Sequence, residues 1–397
     1  MERWLFMVLK IGFASTYPPT HCGVGEYTRM LITALKSLYP RINAYVLADK
    51  RGGDRRFDEL AKVEIIPSFE HEETSYRELL DNLALINGVD ILHIQHEYGI
   101  FGKHNGLIEA VEEARKERLV GKIVITMHTV DHPYTLRSGT LEFQRQLNKF
   151  DAIIVHSALQ EFELIHQGID PSKIIRIPHG TLLNPYLWLP RFKLAEPLGI
   201  SEDQLVGFII GVPGFLRKDK GLDILVKAVK PLLHDGDYTV IVAGETRDPV
   251  LRKELEDMVR NGPNMIFIER WLTSEEILKL VALVDAVVLP YRDRPASYSV
   301  SGILHLSMGG LKPIIGTRAP RLIELYHHAP RMTVPVRNPN ELTKKIRWLR
   351  ANYDVAIAYM SSVYSYAVRT EWHRIARRHL SLYAYVLGVE KSILSGE

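Results

Sequence analysis

The sequence predicts an α/β protein of two domains, each built on a parallel sheet. The chain has 397 residues, which is more than one compact core usually holds. Short apolar runs alternate with amphipathic helical stretches, a pattern typical of parallel strands joined by crossover helices. The alternation stops over residues 181–204, which include three prolines, and then restarts. We interpret residues 181–204 as a linker between the domains.

Composition excludes several classes of protein. Hydrophobic content of 46% and charged content of 24% are typical of a soluble globular chain. The net charge of +3 is too small to indicate nucleic acid as a partner. A single cysteine, Cys22, excludes a disulfide framework. Trp4–Leu9 runs into Lys10 without a cleavage site, and no apolar stretch is long enough to span a membrane, so we expect a cytoplasmic protein.

The first half begins with a predicted strand at Val8–Ala14. The loop after it contains Gly23 and Gly25 and leads into an amphipathic helix. Glycines in this place let the backbone approach a ligand closely, although they also serve ordinary packing of a helix against a strand.

Two later strands of this half deliver polar side chains. Ile91–Gln95 is followed by HEYGIFG, which includes Glu97, and Ile123–Met127 is followed by His128. Ligands of open α/β sheets bind outside the carboxyl ends of the strands, so Glu97 and His128 are candidate site residues. A buried structural histidine is the alternative for His128.

The remaining elements follow from the same patterns. Further strands are predicted at Ala44–Leu47, Val63–Ile66, Asp151–Ser157, Ile174–Ile177, Val206–Ile210, Tyr238–Ala243, Met265–Ile268, Ala286–Leu289 and Pro313–Gly316. Helices are predicted from about Thr74 to Asn87, from Leu222, and through most of the chain after Asn340, ending with Trp372–Leu387.

The second half contains a predicted anion site. After Ala286–Leu289 comes a polar loop and then Ser299–Gly302, which opens a helix at Ile303–Met308. The first N–H groups of a helix lack internal partners and favour a negative charge. The loop Gly211–Gly221 carries three cations, Arg217, Lys218 and Lys220, which could clamp a diphosphate opposite that helix. An ordinary strand–helix connection and a solvated charged loop are the alternatives.

These motifs, in this order and spacing, resemble a GT-B glycosyltransferase of family 4, the retaining nucleotide-sugar enzymes, and HEYGIFG resembles a mannosyltransferase-like subgroup. The matching stretches are Pro18–Gly25, HEYGIFG, Ile125–His128, DAIIVHS through IPHG, Pro213–Leu222, Val242–Glu245, Asp285–Tyr291 and Ser301–Thr317. The resemblance implies two Rossmann-like parallel-sheet domains facing a central cleft. It implies an acceptor domain over residues 1–185, a nucleotide-sugar domain over 205–365, and a C-terminal helix over 366–397 that crosses back to the first domain.

The resemblance also implies roles for individual residues. His128 matches the histidine that contacts the donor sugar, Lys220 matches the diphosphate-binding lysine, and Glu97 and Tyr98 fall on the acceptor side. The residues that match donor and phosphate contacts are Gly23, Gly25, Gly214, Ser299, Ser301 and Gly302.

The sequence departs from the family at four positions, and at one of them Cys22 stands where a glycine is common. Where the family has two glutamates separated by seven residues, this chain has Ser297 and His305. A neutral histidine can bond one ribose hydroxyl but lacks the two acceptor oxygens of a carboxylate. Phe215 replaces an arginine, and Arg217 is the expected substitute.

The function expected from the resemblance is transfer of a mannose- or glucose-type sugar to an acceptor hydroxyl with retention of configuration. GDP-mannose is the favoured donor, with UDP- and ADP-sugars as alternatives, and the acceptor is a sugar, a sugar phosphate or a lipid-linked saccharide. Arg217, Lys220 and the Ser301–Gly302 amides would stabilise the leaving diphosphate, so neither a metal nor another cofactor is expected. The alternatives are a nucleotide-sugar-binding subunit of weak activity and a GT-B epimerase or phosphorylase.

The basic last helix offers a peripheral contact with the inner face of the membrane. The alternative is that its charged side chains form an ordinary solvated face.

Overall fold

The computed structural model describes residues 8–135, 138–246, 248–262, 264–292 and 296–389. Contacts within the chain divide these residues into two units. The first unit contains the described residues of Met1–Gly180, Pro295–Val300 and Trp372–Glu397. The second contains those of Thr181–Arg294 and Ser301–Glu371. Each unit is a Rossmann-like α/β domain with its own parallel sheet, so the predicted fold class is confirmed.

The strands and helices alternate along the chain. The strands are β1 (Lys10–Ser15), β2 (Asn43–Asp49), β3 (Arg56–Asp58), β4 (Val63–Phe69), β5 (Val89–His96), β6 (Val120–Met127), β7 (Thr129–Asp131), β8 (Ala152–Val155), β9 (Ile174–Arg176), β10 (Phe208–Pro213), β11 (Tyr238–Ala243), β12 (Met265–Ile268), β13 (Ala286–Leu289), β14 (Ser297–Ser299), β15 (Ile314–Thr317) and β16 (Thr333–Val334). The helices are α1 (Gly23–Leu38), α2 (Arg77–Leu85), α3 (Tyr98–Phe101), α4 (Gly106–Lys116), α5 (Ser138–Arg145), α6 (Ala158–His166), α7 (Arg191–Ala195), α8 (Leu222–His234), α9 (Pro249–Asn261), α10 (Ser274–Leu283), α11 (Gly302–Met308), α12 (Ile323–His328), α13 (Pro339–Ala351), α14 (Tyr353–Arg369) and α15 (Trp372–Val386).

The sheet of the first unit has the strand order β3-β4-β2-β1-β5-β6-β8-β9. Its pairs are parallel apart from β3 and β4, which are antiparallel. All residues of β8 are buried, as expected for a parallel strand that is covered on both faces. The chain leaves β1 for β2 and β4 and then returns to β5 on the other side of β1. The boundary between β1 and β5 is therefore a topological switch point, where open α/β sheets bind ligands.

The sheet of the second unit has the strand order β12-β11-β10-β13-β15-β16, and all its pairs are parallel. Here the chain leaves β10 for β11 and β12 and returns to β13 on the other side. The switch point of this unit lies between β10 and β13. The predicted bounds of β11, β12 and β13 are confirmed, whereas β10 begins two residues later than the apolar pattern indicated.

The last helix, α15, belongs to the first unit, in which it packs against α1. Trp372 at its start lies on Gly180, where a Cβ would come within 2.2 Å of the indole ring. The division between the units falls after Gly180 and again after Glu371, whereas the sequence placed these boundaries at residues 185 and 365.

The interpretation of residues 181–204 as a linker is wrong. Leu194, Leu198 and Ile200 are buried in the hydrophobic core of the second unit, and α7 forms between two of the prolines. Prolines interrupt the strand–helix pattern here, but the apolar residues between them still pack. The loss of periodicity at residue 181 coincides with the division between the units, but the residues that follow belong to the second unit and are not a linker.

The sequence also missed a two-stranded sheet within the first unit. β14 pairs antiparallel with β7, so that Ser297 lies opposite Asp131 and Ser299 opposite Thr129. Each strand has three residues, which is too short for a hydrophobic period to show. Ser297 and Ser299 therefore belong to the first unit, although the resemblance had grouped them with donor contacts of the second.

Candidate functional site

A glycine-flanked loop follows β10 at the switch point of the second unit. Gly214 begins it with φ of +108°, and a Cβ there would lie 2.8 Å from the side chain of Ile303 in α11. Gly221 ends it with φ of +67°, and a Cβ there would lie 2.0 Å from the carbonyl oxygen of Pro290, just after β13. Both backbone conformations and both contacts favour glycine. The loop therefore packs directly against the segments that follow β13.

A carboxylate organises the cations of this loop. Asp219 accepts hydrogen bonds from Arg217 Nη2 at 3.0 Å and from Arg321 Nη1 at 2.8 Å, and it is buried. Burial alone would raise the pKa of Asp219, but the charges of Arg217, Arg321 and Lys220 lower it to about 2. The carboxylate is therefore ionised at neutral pH and holds two guanidinium groups in fixed positions.

Tyr291 joins the predicted phosphate residues of this switch point. Lys220 Nζ lies 3.7 Å from the centroid of the Tyr291 ring, a cation–π contact. The Tyr291 hydroxyl lies 3.1 Å from Ser301 Oγ, and Ser301 Oγ in turn accepts a hydrogen bond from the N–H of Leu304. Ser301 thereby caps α11, which begins at Gly302. The structure thus brings Lys220 and the start of α11 together through one buried side chain.

The charge balance of this cluster suits a polyanion. Arg217, Lys220 and Arg321 carry three positive charges around the single carboxylate of Asp219. A nucleoside diphosphate is the ligand class that such a set of charge-assisted donors recognises. At the position where the family has an arginine, Phe215 instead packs on Trp271, with ring centroids 4.7 Å apart.

Gly23 and Gly25 lie at the switch point of the first unit, and their surroundings differ. A Cβ on Gly25 would come within 3.2 Å of the backbone of Tyr17, so Gly25 is explained by close packing of α1 on the preceding loop. A Cβ on Gly23 would meet no atom within 4 Å. Gly23 is the first residue of α1, and the N-cap residue Cys22 makes no side-chain capping bond. Local packing therefore does not explain Gly23, and its place suits a ligand.

His128 ends a buried hydrogen-bond chain in the same unit. Its Nε2 lies 3.0 Å from Gln95 Oε1, and Gln95 Nε2 lies 3.2 Å from His93 Nε2. His93 Nε2 also lies 2.8 Å from the hydroxyl of Thr126, and His93 Nδ1 lies 2.7 Å from the hydroxyl of Tyr383 in α15. The last helix thus takes part in the chain of hydrogen bonds that ends at His128.

This chain of bonds determines which nitrogen of His128 carries the proton. Burial, together with the neighbouring histidines, holds the pKa of His128 and that of His93 well below the ordinary value, so both rings are neutral. Gln95 Oε1 only accepts, so His128 Nε2 donates and Nδ1 bears a lone pair. Among the described residues, none is a hydrogen-bond partner of His128 Nδ1. His128 therefore offers an acceptor to a ligand hydroxyl.

Tyr27 of α1 packs against the ring of His128. Its ring lies edge-on to that of His128, with centroids 4.9 Å apart, and edge-on to that of Trp372 at 5.1 Å. The ring of His179 lies 5.0 Å away on the same aromatic side chain. Tyr27 thus packs against His128 and, with its other contacts, against His179 and the start of α15.

The two residues predicted on the acceptor side make internal contacts. Glu97 Oε1 accepts from the N–H of Tyr98, and Glu97 Oε2 accepts from the hydroxyl of Thr129 at 2.6 Å. The hydroxyl of Tyr98 donates to Gln144 Oε1 at 2.7 Å, and the Tyr98 side chain is buried. Glu97 is partly exposed at the carboxyl end of β5, so it is the better placed of the two to meet a ligand.

His305 lies inside the second unit, with no exposed surface. Its Nδ1 is 3.0 Å from Thr181 Oγ1, and its Nε2 is 3.4 Å from Glu324 Oε1. To contact a ribose, this side chain would have to leave both partners. The ribose role for His305, like the sugar contact for Ser297, stays a prediction.

Sequence reasoning missed several residues of these clusters, among them Asp219, Tyr291, Arg321, Gln95 and Tyr27. Arg321 joins Asp219 across 102 positions, and no local pattern connects them. Gln95 and Tyr27 lie within a predicted strand and a predicted helix, where they read as ordinary elements of structure. Gln95 did carry a signal, because a polar side chain that is buried in a strand of the sheet requires a hydrogen-bond partner.

Among the residues that the structure describes, no helix is long and apolar enough to cross a membrane. Within the same part of the chain, no three His, Cys, Asp or Glu side chains are grouped so that they could hold a metal ion.

Both halves of the chain match known families. Residues 22–183 match the family described as "Glycosyltransferase Family 4", and residues 207–352 match "Glycosyl transferases group 1". The chain is 28% identical over 138 residues to a glycogen synthase of Marinomonas sp. (strain MWYL1), a match that covers 33% of this chain and 28% of that protein. It is 23% identical over 206 residues to a D-inositol 3-phosphate glycosyltransferase of Geodermatophilus obscurus, covering 48% of this chain and 42% of that protein. The chain thus matches less than half the length of either relative.

Solved structures share the whole fold. Anabaena Alr3699/HepE in complex with UDP and glucose has a TM-score of 0.71 at 17% identity, covering 95% of this chain and 99% of that one. The catalytic domain of starch synthase IV from Arabidopsis thaliana, bound to ADP and acarbose, has a TM-score of 0.69 at 13% identity, covering 96% and 99%. Taken with the two switch-point sheets, these matches show a GT-B fold. Each half of the chain thus matches a glycosyltransferase family model, and the two halves are carried on a GT-B fold.

Proposed function

We propose that this protein is a hexosyltransferase that moves a sugar from a nucleoside-diphosphate sugar to an acceptor hydroxyl, with retention of configuration. The observation that carries the proposal is the cluster between β10 and β13. There Asp219 fixes Arg217 and Arg321, and Tyr291 joins Lys220 to Ser301. This is a preorganised cationic site at the switch point of a Rossmann-like sheet, where a diphosphate leaving group would be stabilised.

Each step of the reaction needs a different property of the chain. Breaking the bond between sugar and diphosphate develops negative charge on the diphosphate, which the three cations and the N–H groups at the start of α11 would stabilise. His128 would accept a hydrogen bond from a sugar hydroxyl through Nδ1, because Gln95 holds its proton on Nε2. A neutral acceptor of this kind orients the sugar without placing a cation beside the positive charge that develops on it.

The donor is proposed to be GDP-mannose, from the resemblance of HEYGIFG to a mannosyltransferase-like subgroup. The proteins of similar fold bind UDP, UDP-glucose or ADP, so UDP- and ADP-sugars are the competing donors. The acceptor is proposed to be a sugar, a sugar phosphate or a lipid-linked saccharide.

A panel of GDP-, UDP- and ADP-sugars tests the proposal. Slow release of free sugar from one donor, and transfer to an acceptor whose new bond keeps the donor's anomeric configuration by NMR, are the expected results. The test variant is Lys220→Ala, and its matched control is Lys218→Ala. Lys218 lies on the same turn but forms an ion pair with Asp248, so its loss should leave sugar release unchanged. A sugar nucleotide that is converted without loss of its sugar would indicate an epimerase instead.

A second candidate function is a nucleotide-sugar-binding subunit without turnover. It is favoured by one observation, the burial of His305, which leaves no carboxylate or exposed histidine at either predicted glutamate position. Saturable binding of a nucleoside diphosphate, with no sugar released from any donor of the panel, would support this candidate.

A further inference from the structure

A groove of about 610 Å³ opens on the second unit at the edge of its sheet, beside β16 and between α13 and α14. We call it the edge groove. β16 is the outermost strand, and two other strands, β13 and β15, separate it from β10. The side chains that matter here are those of Arg318, Arg331, Lys345, Trp348 and Tyr359.

The cations of the edge groove have no acidic partner. Among the described residues, none of Arg318, Arg331 and Lys345 has a carboxylate within the 4.0 Å of an ion pair. Arg318 Nε lies 3.5 Å from Thr333 Oγ1, and Arg331 Nη1 donates to the hydroxyl of Tyr359 at 2.7 Å. These neutral partners position the guanidinium groups and leave their charges uncompensated.

Two aromatic rings hold the cations in place. Trp348 and Tyr359 are stacked, with 6° between their planes and 5.8 Å between their centroids. Lys345 Nζ lies 4.4 Å from the centroid of Trp348, and Arg331 Cζ lies 4.9 Å from that of Tyr359. Lys345 and Arg331 thus each lie over one ring of a stacked pair, which restricts their motion before any ligand binds.

Among these cations, Lys345 is the one whose charge is destabilised by burial. Its side chain is partly buried, and burial lowers the pKa of its ammonium group. The one carboxylate of the groove, Glu341, is bonded to Lys344 at 2.9 Å. Lys345 is therefore a partly buried cation: the charge of Glu341 opposes the lowering of its pKa, but Glu341 forms its ion pair with Lys344. A bound anion would supply the missing countercharge.

We propose that the edge groove binds a phosphate monoester, held by Arg331 and Lys345 on their aromatic supports and by Arg318. A dianionic phosphate has enough charge and acceptor oxygens for three cations, which a single carboxylate lacks. The phosphate belongs either to a small molecule or to a lipid headgroup, which present the same group. The site is separate from the Asp219 cluster and does not depend on the proposed transfer reaction.

Calorimetric titration of the full chain with inorganic phosphate and with glycerol phosphate tests the small-molecule source. The titrations are repeated with Lys220→Ala, so that any binding of the probe at the Asp219 cluster is recognised as the part which this change removes. Sedimentation with vesicles that contain phosphatidic acid, against vesicles of phosphatidylcholine alone, tests the lipid source. The variants are Lys345→Met and Arg331→Gln, and the matched control is Lys344→Met, one position away and already paired with Glu341.

Lys345→Met and Arg331→Gln should each weaken binding about tenfold or more, as expected for losing a charged hydrogen bond, and added salt should weaken wild-type binding. Lys344→Met should bind as the wild type does. Binding of free phosphates supports the small-molecule source, and binding of acidic vesicles alone supports the lipid source. The proposal is wrong if neither probe binds or if Lys344→Met loses as much affinity as Lys345→Met. Thermal melting of each variant shows whether it is folded. The panel of sugar nucleotides tests the transfer reaction and the phosphate probes test the edge groove. A failure of the proposed transfer reaction can therefore be distinguished from a failure of the edge-groove proposal.

Discussion

The two switch points use different chemistry to hold their functional side chains. In the second unit, an ionised carboxylate, Asp219, fixes Arg217 and Arg321 by charge. In the first unit, neutral side chains position His128, because His128 Nε2 donates to Gln95 Oε1 and Gln95 is bonded in turn to His93. A charged cluster can compensate the charge of a leaving group, whereas a neutral network determines where a proton and a lone pair lie. Each unit is therefore suited to one part of the proposed reaction: the second unit to binding the leaving diphosphate, and the first to orienting a hydroxyl group.

The largest effect is expected from Lys220→Ala. Removing one preorganised cation that stabilises the leaving group should lower kcat by about 10²–10³-fold, while the fold is kept. Steady-state kinetics with the preferred donor measures this, and Lys218→Ala should change kcat by less than about twofold because its side chain is mostly exposed. Equal losses in both variants would show that only the general charge of the loop matters.

Asp219→Asn tests whether charge holds the second cluster together. The pKa of Asp219 is about 2 in the folded chain, below its ordinary 3.8. A lowered pKa contributes stability that is complete above pH 3.8 and is lost as the pH falls toward 2. The variant should therefore unfold with roughly 2 kcal/mol less free energy at pH 7, and with a smaller loss of stability between pH 5 and about pH 3. Urea unfolding across this range measures both, and parallel pH curves would contradict the prediction.

Gln95→Leu tests the neutral network. Without the acceptor at Nε2, His128 should exchange between both tautomers, and kcat/KM should fall by about tenfold. Nitrogen-15 NMR of the histidine rings reports the tautomer directly, whether or not the protein turns over. Gln95→Glu is the matched variant, because it keeps an acceptor and should keep the proton on Nε2 while raising the pKa of His128. A wild-type His128 with its proton on Nδ1 would refute the network as described.

Gly25→Ala and Gly23→Ala separate packing from ligand approach within the first unit. Both gain helix propensity in α1, but only the Gly25 variant forces a Cβ against the backbone of Tyr17. Gly25→Ala should therefore unfold with about 1–3 kcal/mol less free energy than Gly23→Ala, as for overpacking elsewhere. Gly23→Ala should fold normally and bind the nucleoside diphosphate more weakly. Equal stability of the two would show that the loop before α1 yields easily.

The smallest effect is expected at His305. A ribose contact would make nucleoside-diphosphate affinity vary between about pH 5.5 and 7.5, in a way that His305→Gln flattens. The buried position of His305 between Thr181 and Glu324 favours the opposite result, a loss of stability with affinity changed by less than about twofold. Affinity across pH for both proteins decides between them. A flattened curve in the variant would restore the ribose contact.

Much of the fold and part of the site follow from the sequence alone. The buried strands β11, β12 and β13 show themselves by short apolar runs, because burial on both faces of a parallel sheet selects such residues locally. Candidates at strand ends, such as Lys220 and His128, follow from the rule that ligands meet the carboxyl ends of parallel strands. The roles of Gly214 and Gly221 could also be predicted, because a tight loop between a strand and a helix often needs a backbone conformation that only glycine adopts easily.

Other features were decided only by the tertiary structure, since they depend on pairings between distant segments. No local pattern shows that Arg321 reaches Asp219, that Tyr383 of the last helix bonds to His93, or that β14 pairs with β7. Residues 181–204 illustrate the same point, because they have no periodic pattern and yet their apolar side chains are buried in the core of the second unit. Their burial depends on contacts with distant segments, which a local pattern does not show. Hydrophobic periodicity reports which residues are buried in an element. Which buried residues meet is determined by how the elements pack.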